Sequence, residues 1–326
     1  MPASRTHSIR MRLAPVVFGL ALLGLVASPL RAQEQNQNPN QRMSQPTAQM
    51  EMTKPAAILV IYKEDVKAGR VQSHDDLEAN FARAYAKVPG AQHYLAMNSL
   101  SGPNEAWFMQ PYNSLEEVQK ESQASDQAPT AVKANIRRIA SGEVDELTNQ
   151  VAITTVYRED LSYNFDVSNL PKTRYIEVVT YRVRTGHEND FMEAAKLVRS
   201  TYEKANIPME WATYEVFAGA PAGTFYVFRA LDSLAKADPT NREKMQAFGQ
   251  ALGTDGEKRL NQLVTDGIAM REVNLYAFNP KTSFAPPEFA AADSFWSQTA
   301  QMAQVCTSGK TKTQAANKTN MGKKKQ

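Results

Sequence analysis

Residues 175–191 read YIEVVTYRVRTGHENDF, and residues 58–69 read ILVIYKEDVKAG. Both open as β-branched and aromatic runs, the composition of a strand. Each then reaches a Gly, after which a helical pattern begins. Leu77, Phe81, Ala84, Tyr85 and Val88 share one helical face, as do Phe191, Ala195, Val198 and Tyr202. Val66-Lys67-Ala68-Gly69 matches Val183-Arg184-Thr185-Gly186 and Tyr85-Ala86-Lys87 matches Tyr202-Glu203-Lys204, both at a spacing of 117. A period that long marks a duplicated domain, because solenoid repeats run at roughly 20–50 residues.

Outward from these stretches the copies keep the same order. A hairpin is expected from Gln92 to Leu100 and Glu105 to Met109 around Ser101-Gly102-Pro103-Asn104, and another from Trp211 to Ala218 and Thr224 to Arg229 around Gly219-Ala220-Pro221-Ala222-Gly223. Asn113-Ser114-Leu115 and Asp232-Ser233-Leu234 then match at a spacing of 119. Helices follow, with Val132, Ile136 and Ile139 on one face in the first copy and Met245, Phe248 and Leu252 in the second. Val151 to Tyr157 and Ile268 to Phe278 read as closing strands, and Val156-Tyr157-Arg158-Glu159 matches Ala269-Met270-Arg271-Glu272 at a spacing of 113. The order is β-α-β-β-α-β, the ferredoxin-like arrangement. Strands 211–217 and 224–228 are apolar on both sides, so both sheet faces need cover: helices on one, the sister sheet on the other. The expected fold class is α+β, with two ferredoxin-like β-α-β-β-α-β repeats packed sheet to sheet as an intramolecular α+β barrel.

This duplicated pattern resembles the dimeric α+β barrel superfamily in a tandem, single-chain form. The carrying residues are Val179 to Phe191 and the paired hairpins ending in Asn113-Ser114-Leu115 and Asp232-Ser233-Leu234. The first segment is similar to antibiotic-biosynthesis monooxygenase-like and NIPSNAP-like domains, and the likeness spans about 55–165 and 173–280. The resemblance implies a fold shared by cofactor-free monooxygenases, haem enzymes, isomerases and proteins of no known activity.

The ends of the 326-residue chain differ from its body. Residues 1–32 hold four arginines and no acid, around a twelve-residue apolar run from Val16 to Ala27. That order is a signal peptide's, and the run is shorter than the roughly 20 residues of a membrane span. The expectation is an exported protein, periplasmic or extracellular, with no stable span in its mature form. Residues 33–54 read as a disordered Gln/Asn-rich leader, repeat 1 covers 55–165 and repeat 2 covers 173–285. Phe289, Asp293, Trp296 and Ala300 are spaced for a further C-terminal helix within 286–305, and 306–326 is a Lys-rich tail. The tail holds six lysines and no acid, so of 37 basic side chains 27 remain in 33–305 against 34 acidic ones. An acidic body argues against nucleic acid as partner. The single cysteine, Cys306, lies in the tail, where no internal disulfide and no activated nucleophile is expected.

Few patterns carry chemistry. His187-Glu188-Asn189-Asp190 lacks the second His four residues on that a zincin helix needs, and Ser308-Gly309-Lys310-Thr311 lacks the earlier Gly of a phosphate loop. No metal is expected. Haem-degrading members of the superfamily use an Asn, a Trp and a helical His. Trp107 matches the Trp, but 113–148 and 232–266 hold no His, so no haem or other cofactor is expected. An aromatic pocket is the remaining reading. Trp107, Trp211, Tyr214 and Tyr226 are its candidate walls and His93 and Glu177 its candidate polar groups, with Tyr94 and Glu215 as further members. The sequence thus predicts a binding protein for a small apolar or aromatic ligand, monomer or homodimer. A cofactor-free monooxygenase-like oxidoreductase acting on an aromatic substrate is the alternative.

Overall fold

A computed structural model describes residues 54–297. The expected signal peptide, most of the expected leader, Cys306 and the Lys-rich tail lie outside the described residues. The N-terminal copy runs β1 (Ile58–Val66), α1 (Val71–Tyr85), β2 (Leu95–Ser99), β3 (Glu105–Tyr112), α2 (Leu115–Asp126), α3 (Thr130–Glu143) and β4 (Leu147–Tyr157). The C-terminal copy runs β5 (Tyr175–Val183), α4 (Glu188–Ala205), β6 (Ala212–Ala218), β7 (Thr224–Leu231), α5 (Arg242–Gly267) and β8 (Ile268–Phe278), followed by the short α6 (Pro287–Ala292). Gly69 and Gly186 each turn the chain from strand to helix at positive φ, +77° and +85°. Ser114 caps α2 by accepting from the Glu117 N–H at 3.3 Å, and Glu117 in turn accepts from the Asn113 N–H at 2.7 Å. Gly253, at φ 70° and ψ 170°, breaks α5 internally, so the long helix has two arms where the first copy has α2 and α3.

The eight strands close into one antiparallel barrel in the order β1-β3-β2-β8-β5-β7-β6-β4. Each copy supplies four neighbouring strands. The copies are sewn together by β2 with β8, through Met97↔Phe278 to Ser99↔Tyr276, and by β4 with β6, through Thr154↔Ala218 to Tyr157↔Tyr214. Two ferredoxin-like repeats in one chain therefore form an intramolecular α+β barrel. The last strands match in a different register from that read in the sequence. Ile58 pairs with Val156 and Tyr175 pairs with Ala277, which aligns β4 with β8 at a spacing of 121, not 113. The similarity of Tyr-Arg-Glu and Met-Arg-Glu drew the match eight residues off.

Alternation sorts the strand residues. Leu59, Ile61, Met97, Trp107, Ile153, Ile176, Val178, Tyr214, Tyr226, Phe228, Tyr276 and Phe278 point inward and pack as one cluster, joined by Phe289 and Trp296 from beyond β8. Outside, α1 and α3 cover a layer that includes Ala82, Tyr85, Tyr94, Ala106 and Phe108. The outer layer of the second copy is built on Leu161, Val183, Phe191 and Phe225. Two side chains escape the expected cover. Phe217 is 65% exposed, because it lies beyond Glu215↔Phe225, the last β6–β7 pair. Met245, near the start of α5, is exposed as well.

Candidate functional site

The barrel interior is apolar except toward the end that carries the two hairpin turns. There the alternation that turns Leu59 and Ile61 inward also turns Lys63 inward, and the alternation that places Trp107 inside places Glu105 beside it. Glu105 is the first residue of β3 and is almost fully buried. Its Oε1 meets Lys63 Nζ at 2.7 Å. Its Oε2 accepts from Trp107 Nε1 at 3.0 Å and from the Tyr276 hydroxyl at 2.7 Å. The Trp107 ring lies 5.2 Å from that of Tyr276 and 5.4 Å, edge to face, from that of Tyr226. Lys63 Nζ stands 5.7 Å from the Trp107 ring centroid. Burial, reinforced by the negative charge of Glu105, pushes the Tyr226 phenol up to about 12 and holds the Tyr276 phenol higher still. Lys63 is the most exposed of the four engaged groups, with 28% of its side chain open to solvent. It links this buried polar centre to the outside.

Of the residues proposed from sequence, the structure brings Trp107 and Tyr226 together here. Tyr214 is also inward, packed on Tyr157 and Phe228, with its hydroxyl donating to the Ala56 carbonyl at 3.0 Å. The others lie elsewhere. Glu177 faces outward and pairs with Arg229 at 2.6 Å. Trp211 sits outside between Tyr163 and Tyr202, its Nε1 donating to the Leu161 carbonyl at 2.8 Å. His93 packs on Phe284 with ring centroids 4.2 Å apart, and burial holds its imidazole below the usual value. Tyr94 belongs to the outer layer of the first copy, and Glu215 pairs with Arg158 at 2.6 Å. Lys63, Glu105 and Tyr276 were not singled out from sequence. The signal for Glu105 was its two-residue spacing from Trp107 on a strand whose neighbours are apolar.

A second buried polar group lies on the other side of the sheet. Glu64 faces outward from β1, where it meets His74 and Glu78 of α1. His74 Nε2 is 2.7 Å from Glu64 Oε2. Among the described residues these three are the group of His, Cys, Asp and Glu side chains placed closely enough to hold a metal ion.

No family model matches the chain, and no curated protein matches it. Among solved structures, an anthrone oxidase-like protein is similar at 13% identity and a TM-score of 0.46, over 68% of this chain and 91% of its own. A tryptophan-to-phenylalanine variant of the chlorite dismutase of Candidatus Nitrospira defluvii, in complex with cyanide, is similar at 10% identity and a TM-score of 0.41, over 70% of this chain and 93% of its own. A candidate monooxygenase from Fusobacterium nucleatum is similar at 16% identity and a TM-score of 0.40, over 69% and 93%. The architecture of this chain is read from its own strand order.

Proposed function

We propose that this chain is an exported protein that holds a small apolar or aromatic molecule at the hairpin end of its barrel. Trp107 and Tyr226 supply aromatic walls, and Lys63 supplies the polar end of the site. The observation that carries this reading is the buried Glu105 carboxylate. Lys63, Trp107 and Tyr276 all bind it, so it orders the aromatic wall and positions Lys63 at the mouth. Both oxygens of this carboxylate are already held by groups of the chain itself, so it is not turned toward a substrate proton, which favours binding over base catalysis. Aromatic walls with a cation beside them suit a ring bearing a hydroxyl or carboxylate substituent.

The test is calorimetric titration of the full chain with naphthols, quinols and aromatic carboxylates, alongside oxygen uptake. Saturable binding of one ligand per chain is expected, without oxygen consumption. Trp107→Leu should weaken it by roughly 10-fold or more, the cost of about 1.4 kcal/mol or more of lost aromatic contact. Trp211→Phe, outside the barrel, should leave it unchanged. Sustained oxygen uptake lost in the Trp107 variant would replace this reading with that of a cofactor-free oxygenase.

A further inference from the structure

The outer layers of the two copies are built from different chemistry. At the spacing of 117 that relates β1 to β5 and α1 to α4, Glu64, His74 and Glu78 take the places of Tyr181, Phe191 and Ala195. The C-terminal three belong to an apolar cluster. The N-terminal three are all buried, at 3%, 1% and 4% exposed, yet each is ionisable. Burying charge without a partner is unfavourable, so this substitution needs a compensating interaction. One ligand atom from each of the three lies within 4.8 Å of the other two. The donors are held in place. His74 and Glu78 are one helical turn apart on α1, and Gln150 donates to Glu64 Oε1 at 2.6 Å. The His74 Nδ1 stands 3.9 Å from Asp75, whose carboxylate is anchored by Asn98 and Asn279 at 3.0 Å and 3.1 Å.

Two further polar atoms face this cluster. Glu143 Oε1 and the Tyr94 hydroxyl have no hydrogen-bond partner among the described residues, in side chains of residues only 9% and 3% exposed. The Glu143 carboxyl abuts that of Glu78. The Tyr94 phenol lies within the field of Glu78, Glu64 and Glu143. A groove between α1 and α3, lined by Ser73, Leu77, Gly142 and Glu146 among others, opens outside the cluster. Its walls include Ser73, Leu77 and Gly142, the sequence neighbours of His74, Glu78 and Glu143.

We propose that Glu64, His74 and Glu78 bind one divalent first-row transition-metal ion, for which Zn2+ is the best match, with Glu143 as a further carboxylate donor. One imidazole and two carboxylates form a donor set that Zn2+ accepts, and the imidazole disfavours Mg2+ and Ca2+, which take oxygen ligands. The ion places two positive charges among three buried carboxylates. Asp75 is positioned to orient the imidazole from its far side. The site is separate from the barrel interior and stands whether or not that interior binds a ligand.

The experiment uses the full chain, stripped with a chelator and then titrated with Co2+ and with Zn2+. Visible d–d bands should saturate at one Co2+ per chain and bleach when one equivalent of Zn2+ is added. His74→Gln and Glu78→Gln should each weaken Zn2+ by roughly 100-fold or more, beyond the 10- to 100-fold typical of an outer-sphere change. Should His74→Gln fail to fold, Glu78→Ala, which installs the residue of the C-terminal copy, serves in its place, with circular dichroism as the folding control. The proposal is overturned if the wild-type chain shows no band at millimolar Co2+, or if folded variants bind with unchanged affinity.

Discussion

Glu105 gathers three donors at the edge of an apolar cluster, and the tyrosines beside it feel its charge. Tyr226 shows the consequence. Burial first, and the charges of Glu105 and Glu272 after it, hold its phenol at about 12 in the folded chain, against about 10 when exposed. The folded state therefore keeps a proton that the unfolded chain releases first. Below pH 10 both states are protonated and stability is undiminished, and it falls as pH rises from 10 toward 12. Tyr226→Phe should remove that part of the slope, leaving stability in urea about 2 kcal/mol less sensitive to pH over the interval. An unchanged slope would show that the Tyr226 hydroxyl is already in contact with solvent. None of this was legible from residue types alone. A Glu opening a strand reads as a solvated edge until barrel closure turns it inward.

At the scale of elements, legibility followed periodicity and failed where burial was polar. Strand β8 keeps the bounds read from the sequence, Ile268 to Phe278, and β5 starts where the β-branched and aromatic run opens at Tyr175. Helix α1 was assigned a buried face of Leu77, Phe81, Ala84, Tyr85 and Val88; the last three are buried, whereas Leu77 and Phe81 are half-buried and His74, Glu78, Ala79 and Ala82 are buried instead. A reading that equates buried with apolar rotates the face past the two residues with the most chemistry. The C-terminal segment was spaced for one amphipathic helix. Within the described residues it forms α6, then a cap at Asp293 that accepts from the Phe295 N–H and pairs with Arg174 at 2.5 Å. Trp296 follows, packed on Phe278 and Phe289, with its Nε1 donating to the Pro171 carbonyl at 2.9 Å. This segment stoppers the barrel opposite the hairpin turns and ties it to the linker between copies. Trp296→Ala should destabilise the fold by roughly 3–5 kcal/mol in urea unfolding, the range for emptying a buried aromatic site. A loss below about 1 kcal/mol would mean that the stopper docks weakly on a barrel stable without it.

For the molecule as a whole, closure inside one chain is what the duplication achieves, and it leaves no open sheet edge on the barrel. The seams were the least legible feature, because they join strands far apart in sequence through backbone pairing that no side-chain pattern records. One of them is also the thinnest joint of the barrel. β2 meets β8 through three paired residues, whereas β1 and β3 share eight. Gly219 marks the β4–β6 seam. It sits at φ +89°, and a Cβ there would lie 2.0 Å from the Ala152 carbonyl oxygen. Gly69 has a similar φ of +77° and open space around it. Gly69→Ala should therefore register backbone strain alone, about 1–2 kcal/mol. Gly219→Ala adds a steric overlap with backbone and should lose more, because the seam must part to admit the methyl group. The two variants compared by urea unfolding isolate the seam's contribution, and amide exchange along β4 and β6 should accelerate only in the second. Equal losses, with no change in exchange along those strands, would mean that the two halves meet there too loosely for the seam to hold the barrel shut.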